Sequence, residues 1–172
     1  LTNTDTNLDL VISNVIFQND QLMNNSHMLL ALKKLLGTQP SISYGEAIYL
    51  RNIKTLMGSI TRSYPYIKSV YLYLDEYDKF ISSEDSVKSF SQDEDYEWRD
   101  CYEQMGEEAD TYVTLRTISE NSKPAKVMTI FQRMLLLDGV VVMNIDINKY
   151  ELLLDNILID NYETVLFTDQ NG

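Results

Sequence analysis

Ten of the twelve tyrosines lie between Tyr44 and Tyr112, and the only tryptophan, Trp98, falls among them. Aromatic walls with a few polar tips suit a small-molecule pocket, although tyrosine is also simply common in strands. Arg116 shares a strand face with Tyr112 and Thr114. Aimed into a pocket, its planar guanidinium would grip a carboxylate or phosphate through two hydrogen bonds. The plainer alternative is an ion pair with one of the chain's many acids. Asn144 and Asp146 sit two apart on one strand face. Asp146 lies just before the helical Asn148-Lys149-Tyr150-Glu151 and reads as an N-cap. Asn144, between apolar neighbours, is the better candidate for a hydrogen bond inside a pocket. Arg99 and Arg133 read as surface residues, Arg99 paired with acids of its own helix.

Catalysis needs a base, a nucleophile or a metal, and the chain offers little of these. Its single histidine, His27, reads as a helix-surface residue, and its single cysteine, Cys101, as a small half-buried hydrophobe. No Cys–His pair, metal-spaced cluster or glycine-rich phosphate loop is present. Acids crowd the stretch from Asp93 to Asp110, but without the alternate spacing and central glycine of a calcium loop, so a solvated acidic face is expected. No enzymatic activity and no cofactor are expected of this segment. The net charge of −12 argues against nucleic acid and anionic membrane surfaces as partners.

These residues need elements to place them. At this length the chain makes one domain, or one domain with a helical extension, and needs neither disulfide nor metal to fold. Leu8, Val15, Leu22, Leu29 and Leu36 recur every seven residues, which predicts a long helix ending at Gly37 and Pro40. That stripe packs on a sheet or forms a dimer seam through Leu8, Val15, Leu22 and Leu29. Tyr44 to Ser63 reads as a second helix stopped by Tyr64-Pro65. Ser69-Val-Tyr-Leu-Tyr-Leu-Asp75 alternates as a strand whose two faces are both partly apolar, so the sheet is covered on both sides. A returning strand over Lys79 to Ser83 follows, then a short acidic helix from Asp93 to Gly106. Thr111 to Ile118 is a strand, Glu120 to Ala125 a loop, and Lys126 to Leu137 a long strand. Asp138-Gly139 gives a two-residue hairpin signal before a strand to Ile147. A helix from Asn148 to Leu158 and a strand over Glu163 to Thr168 close the chain. The sum is an α+β fold with an antiparallel sheet of five or six strands and the long helix packed on it. It divides into a helical region at 1–63 and a sheet region at 64–172. There is no initiator Met, no signal peptide and no 18-residue apolar run, and Asp169-Gln-Asn-Gly172 is a turn signal with no strand after it. The expectation is an excised module, truncated at its last strand.

The order of long helix, Tyr64-Pro-Tyr-Ile-Lys-Ser-Val-Tyr-Leu-Tyr73, Trp98 in a short helix, Asp138-Gly-Val-Val-Val-Met-Asn-Ile-Asp-Ile147, helix and Val165-Leu-Phe-Thr-Asp-Gln-Asn-Gly172 resembles the extracytoplasmic Cache sensor domains of bacterial transmembrane receptors. Those of sensor histidine kinases and membrane-bound AraC-type regulators are the nearest in pattern. The resemblance covers nearly the whole chain. It implies a PAS-like sheet, a cell-membrane receptor anchored through flanking segments, and signalling through the long helix, with a homodimer along it. It also implies a small ligand, such as an amino acid, organic acid or sugar, held between the sheet and the short helices by Tyr71, Tyr73, Trp98, Tyr112, Arg116 and Asn144. Amino-acid-binding members carry an arginine two residues before the tryptophan, where this chain has Tyr96, and an aspartate where it has Asn144. Some members read a partner protein and bind no small molecule.

Overall fold

The period-two strand foreseen from Ser69 to Asp75 forms over Ile67–Leu74, inside the sheet and buried on both faces. The computed structural model describes residues 26–37, 43–84, 87–90, 95, 97–106, 108–120, 123–134 and 136–157, with Ile12, Ser13 and Phe17. In chain order these form α1 (Ser26–Leu36), α2 (Tyr44–Ser63), β1 (Ile67–Leu74), β2 (Lys79–Ser82), β3 (Val87–Ser89), α3 (Trp98–Glu103), β4 (Thr111–Glu120), β5 (Lys123–Arg133), β6 (Gly139–Asp146) and α4 (Ile147–Ile157). The six strands pair antiparallel in the order β3-β2-β1-β6-β5-β4. The fold is α+β, as the pattern implied. Leu8, Val15 and Leu22 and the strand at 163–168 lie outside the described residues.

One sheet face carries α1 and α2. Leu29, Leu32 and Leu36 recur at helical spacing, as do Ile53, Met57 and Ile60, and both stripes meet Val70, Leu72, Leu74, Ile130 and Met143. Each such side chain taken fully from water contributes about 1.5–3 kcal/mol. Leu29, foreseen on the seam, packs into this core at 7 % exposure, while the adjacent Leu30 is exposed. The last turn of α1 closes through Gly37 N–H donating to the Lys33 carbonyl, with Lys33 and Lys34 at the negative end of its dipole.

The other face carries Tyr71, Tyr73, Phe80, Phe131, Val140 and Val142 beneath Phe90, Trp98 and Tyr102. A bulge in β1 prepares it. Ile67 pairs with Ile145, but the register shifts before Ser69, which pairs with Asn144. Strict alternation would put Ile67 and Ser69 on one face. The extra residue sends Ile67 to the helical core and Ser69 to the face below α3.

Several boundaries differ from expectation. The loop at Glu120 to Ala125 is instead the end of a tight hairpin whose strands run on to the Glu120–Lys123 pair. Pro124 is tolerated there because pairing with β6 begins only at Val127. Strand β5 ends at Arg133, and Asp138-Gly139 is not a two-residue turn, since Gly139 opens β6 opposite Leu74. The glycine serves close approach: a Cβ there would collide with the Tyr73 carbonyl and with Leu74. Helix α3 spans six residues, far fewer than the acidic stretch implied, and the three-residue β3 gave no signal in the sequence.

Candidate functional site under the short helix

Three neighbouring strands place a polar row across the face below α3. Ser69 on β1 pairs with Asn144 on β6, and Asn144 pairs with Thr129 on β5. The three are essentially buried, so each polar atom needs a partner. Asn144 Nδ2 donates to Ser69 Oγ at 3.0 Å, and Thr129 Oγ1 donates to Asn144 Oδ1 at 2.7 Å. Arg116 reaches in from the edge strand β4. Its Nε donates to Thr129 Oγ1 at 2.9 Å and its Nη2 to Asn144 Oδ1 at 3.0 Å. The same guanidinium holds the Asp95 carboxylate through both oxygens, at 2.7 and 3.1 Å. Tyr71 Oη donates to Asp95 Oδ2 at 3.4 Å. The side chains of Arg116 and Asp95 are only 6 % and 10 % exposed. In that setting the pair is short and directional, and removing one partner would strand a buried charge.

Beside this network stands an aromatic cluster centred on Trp98. Its ring lies 5.1–5.7 Å from those of Tyr71, Tyr73, Phe80 and Phe90, in tilted and edge-on arrangements. Trp98 is wholly buried, and its Nε1–H has no hydrogen-bond partner among the described residues. Tyr112 packs at the far side, 5.9 Å from Phe131.

A third group fastens the C-terminal end of α3. Tyr102 Oη donates to Asp75 Oδ2 at 3.2 Å, and burial pushes its phenol up to about 12. Arg133 donates to the carbonyls of Ala109 and Gly106, each at 3.2 Å, and lies over the Tyr102 ring. Arg133 therefore ties down the loop after α3, a role its surface reading missed. Arg99 pairs with Asp78 and Glu103 and sits over Phe90. Burial pushes the Cys101 thiol up, away from a reactive thiolate. Among the described residues no group of three His, Cys, Asp or Glu is placed to hold a metal ion.

All six residues expected to hold a ligand thus lie on the α3 face. Arg116 and Asn144 share one network, Tyr71 links it to the aromatic cluster, and Tyr73, Trp98 and Tyr112 belong to the rings. A cleft of about 360 Å³ opens beside them, lined by Asp95, Glu97, Thr117, Ile118, Ser119, Lys123 and Pro124. None of the six is among its described lining residues. Sequence reasoning missed Asp95, Thr129 and Ser69. Thr129 and Ser69 were both accessible by strand parity, Ser69 through Tyr71 and Tyr73 on its own strand, and Asp95 was one acid in a crowd.

No protein-family model matches the chain, and no curated protein matches it. Solved structures do. One is a domain of a protein described as sensory box/GGDEF family, from Vibrio parahaemolyticus, with TM-score 0.54 and 16 % identity over 86 % of this chain and 57 % of that one. Another is the extracellular domain of a protein described as a histidine kinase, with TM-score 0.55 and 14 % identity over 86 % of this chain and 55 % of that one. The chain therefore spans little more than half the length of either. What it shares with them is the fold: a PAS-like antiparallel sheet with helices.

Proposed function

We propose that this chain is the extracytoplasmic sensing domain of a bacterial membrane receptor of the Cache type. It binds a small molecule on the α3 face and signals through the N-terminal helix, as a homodimer, to a histidine kinase, with an AraC-type regulator as the alternative output. The observation that carries the reading is the buried polar row on an otherwise apolar sheet face. A sheet that needs only to pack has no use for Ser69, Asn144, Thr129 and Arg116 in one connected set, because each costs desolvation. The extracellular kinase domain of the same fold supports the location and the output. Signalling asks only that the ligand favour one helix arrangement by a few kcal/mol.

The test is a thermal-shift screen of the purified domain against amino acids, organic acids and sugars. A ligand at about a hundred times its Kd adds about 2.7 kcal/mol, a shift of several degrees for a domain of this size. One responding class establishes the sensor reading and names the ligand. A flat panel on a cooperatively folding protein refutes small-molecule sensing. A second reading then takes its place, a module that reads a protein partner, favoured by the completeness with which Tyr71, Tyr73 and Trp98 pack on one another.

A further inference from the structure

Arg116 is organised by two different parts of the molecule. Thr129 and Asn144, which take two of its donors, belong to the sheet, and Ser69 fixes Asn144 in turn. These contacts hold the guanidinium plane whatever lies above it. Asp95 alone comes from outside the sheet, from the connection between β3 and α3. Asp95 lines the 360 Å³ cleft, whereas Arg116 is not among the described residues lining it. The carboxylate therefore borders the cleft on one hand and holds the cation on the other. A strand-built receptor for a planar two-oxygen anion is present, and the protein's own side chain fills it.

We infer that Asp95 is a built-in surrogate ligand, and that the molecule sensed at this site carries a carboxylate which enters through the cleft and displaces Asp95 from Arg116. This rests on the sensor reading above and deepens it by naming the ligand's anchoring group. The occupant has to be an anion, because a neutral group would leave the buried guanidinium uncompensated. A carboxylate reproduces both hydrogen bonds that Asp95 now accepts. Exchange has a built-in consequence. Asp95 stands three residues before Trp98, so its release loosens the polar tie between the sheet and the connection leading into α3, and frees the Tyr71 hydroxyl that now donates to it, while Trp98 keeps the helix itself seated on the rings. The internal carboxylate lowers apparent affinity by the fraction of time it occupies the site.

The experiment is thermal unfolding of wild type and Asp95→Ala in increasing sodium formate or acetate, against sodium chloride at equal ionic strength. Asp95→Ala should be stabilised saturably by the carboxylates and not by chloride. Its half-saturation should lie about tenfold or more below that of wild type. Adding Arg116→Gln should abolish the response. Should Asp95→Ala fail to fold, Asp95→Asn keeps the side-chain shape without the charge, and the same order is expected. A response to formate no larger than to chloride, in whichever variant folds, overturns the inference and makes the ion pair a structural one. Equal half-saturation in wild type and variant also overturns it. The two readings fail separately: a flat metabolite panel on wild type with saturable formate binding in Asp95→Ala refutes the sensor reading alone. An uncharged sugar as the sole hit, with no formate response, refutes this inference alone.

Discussion

Trp98 is wholly buried at the centre of four rings, and it is the residue a ligand hypothesis values most. Truncation would leave a large cavity on the α3 face. Trp98→Ala should destabilise the domain by about 3–5 kcal/mol, read as a fall in the urea midpoint with unchanged slope. Trp98→Phe should cost less than half as much. It keeps a ring in the cluster and removes an indole N–H that has no partner to lose. Equal losses for the two variants would mean that the N–H is bonded in solution, by water or by ligand. Much of this site was legible one residue at a time. Strand parity set Tyr71 with Tyr73, and Tyr112 with Arg116, on one face of their own strands, since side chains two apart must agree, while their grouping with Trp98 and Asn144 came from the family resemblance. Parity could not say which acid would meet Arg116, because Asp95 lies in no strand and shares its stretch with eight other carboxylates. That contact is set by tertiary distance.

At the scale of elements, Gly139 shows what a local signal can and cannot convey. The Asp138-Gly139 pair fits a tight hairpin, yet the chain makes a longer connection from Met134 to Asp138 and spends the glycine on the β1–β6 contact. Gly139→Ala would force a methyl group against the Tyr73 carbonyl and the Leu74 side chain. Backbone cannot yield as a flexible side chain can, so the variant should lose about 1–3 kcal/mol or more by overpacking. Faster hydrogen exchange at the start of β6 and the end of β1 would show where the strain falls. Wild-type stability in Gly139→Ala would mean that the two strands are further apart than they stand here. The helix and strand periods behaved better than the turn signals. The 3.6-residue stripe of α2 and the alternation of β1 are each enforced by burial along their length, while turns depend on a residue or two. The seven-residue stripe was ambiguous for a physical reason: a leucine at that spacing serves a sheet or a second helix equally, and at Leu29 the sheet takes it.

For the molecule as a whole, the buried tyrosines and the charge set a limit in alkali. Burial, chiefly, pushes Tyr66 and Tyr102 up to about 12, and raises Tyr73 and Tyr150 as well. An unfolded tyrosine ionises near 10. The folded state therefore holds more protons between those values, so the stability these groups contribute is complete below pH about 10 and is lost as the pH climbs toward 12. Each phenolate formed deepens a net charge already at −12 and increases self-repulsion. Tyrosinate absorbance should accordingly appear in two stages. Exposed rings ionise first without change in circular dichroism, and the buried ones only together with loss of the sheet signal. Sodium chloride at about 0.2 M should move the second stage to higher pH by screening the repulsion, relative to about 0.02 M. A phenol titration that runs smoothly to completion while the sheet remains intact would mean that both sheet faces open to solvent, the α3 face at Tyr73 and Tyr102 included. It would also mean that the aromatic cluster is a mobile wall, and that face could then admit a ligand without any displacement of Asp95.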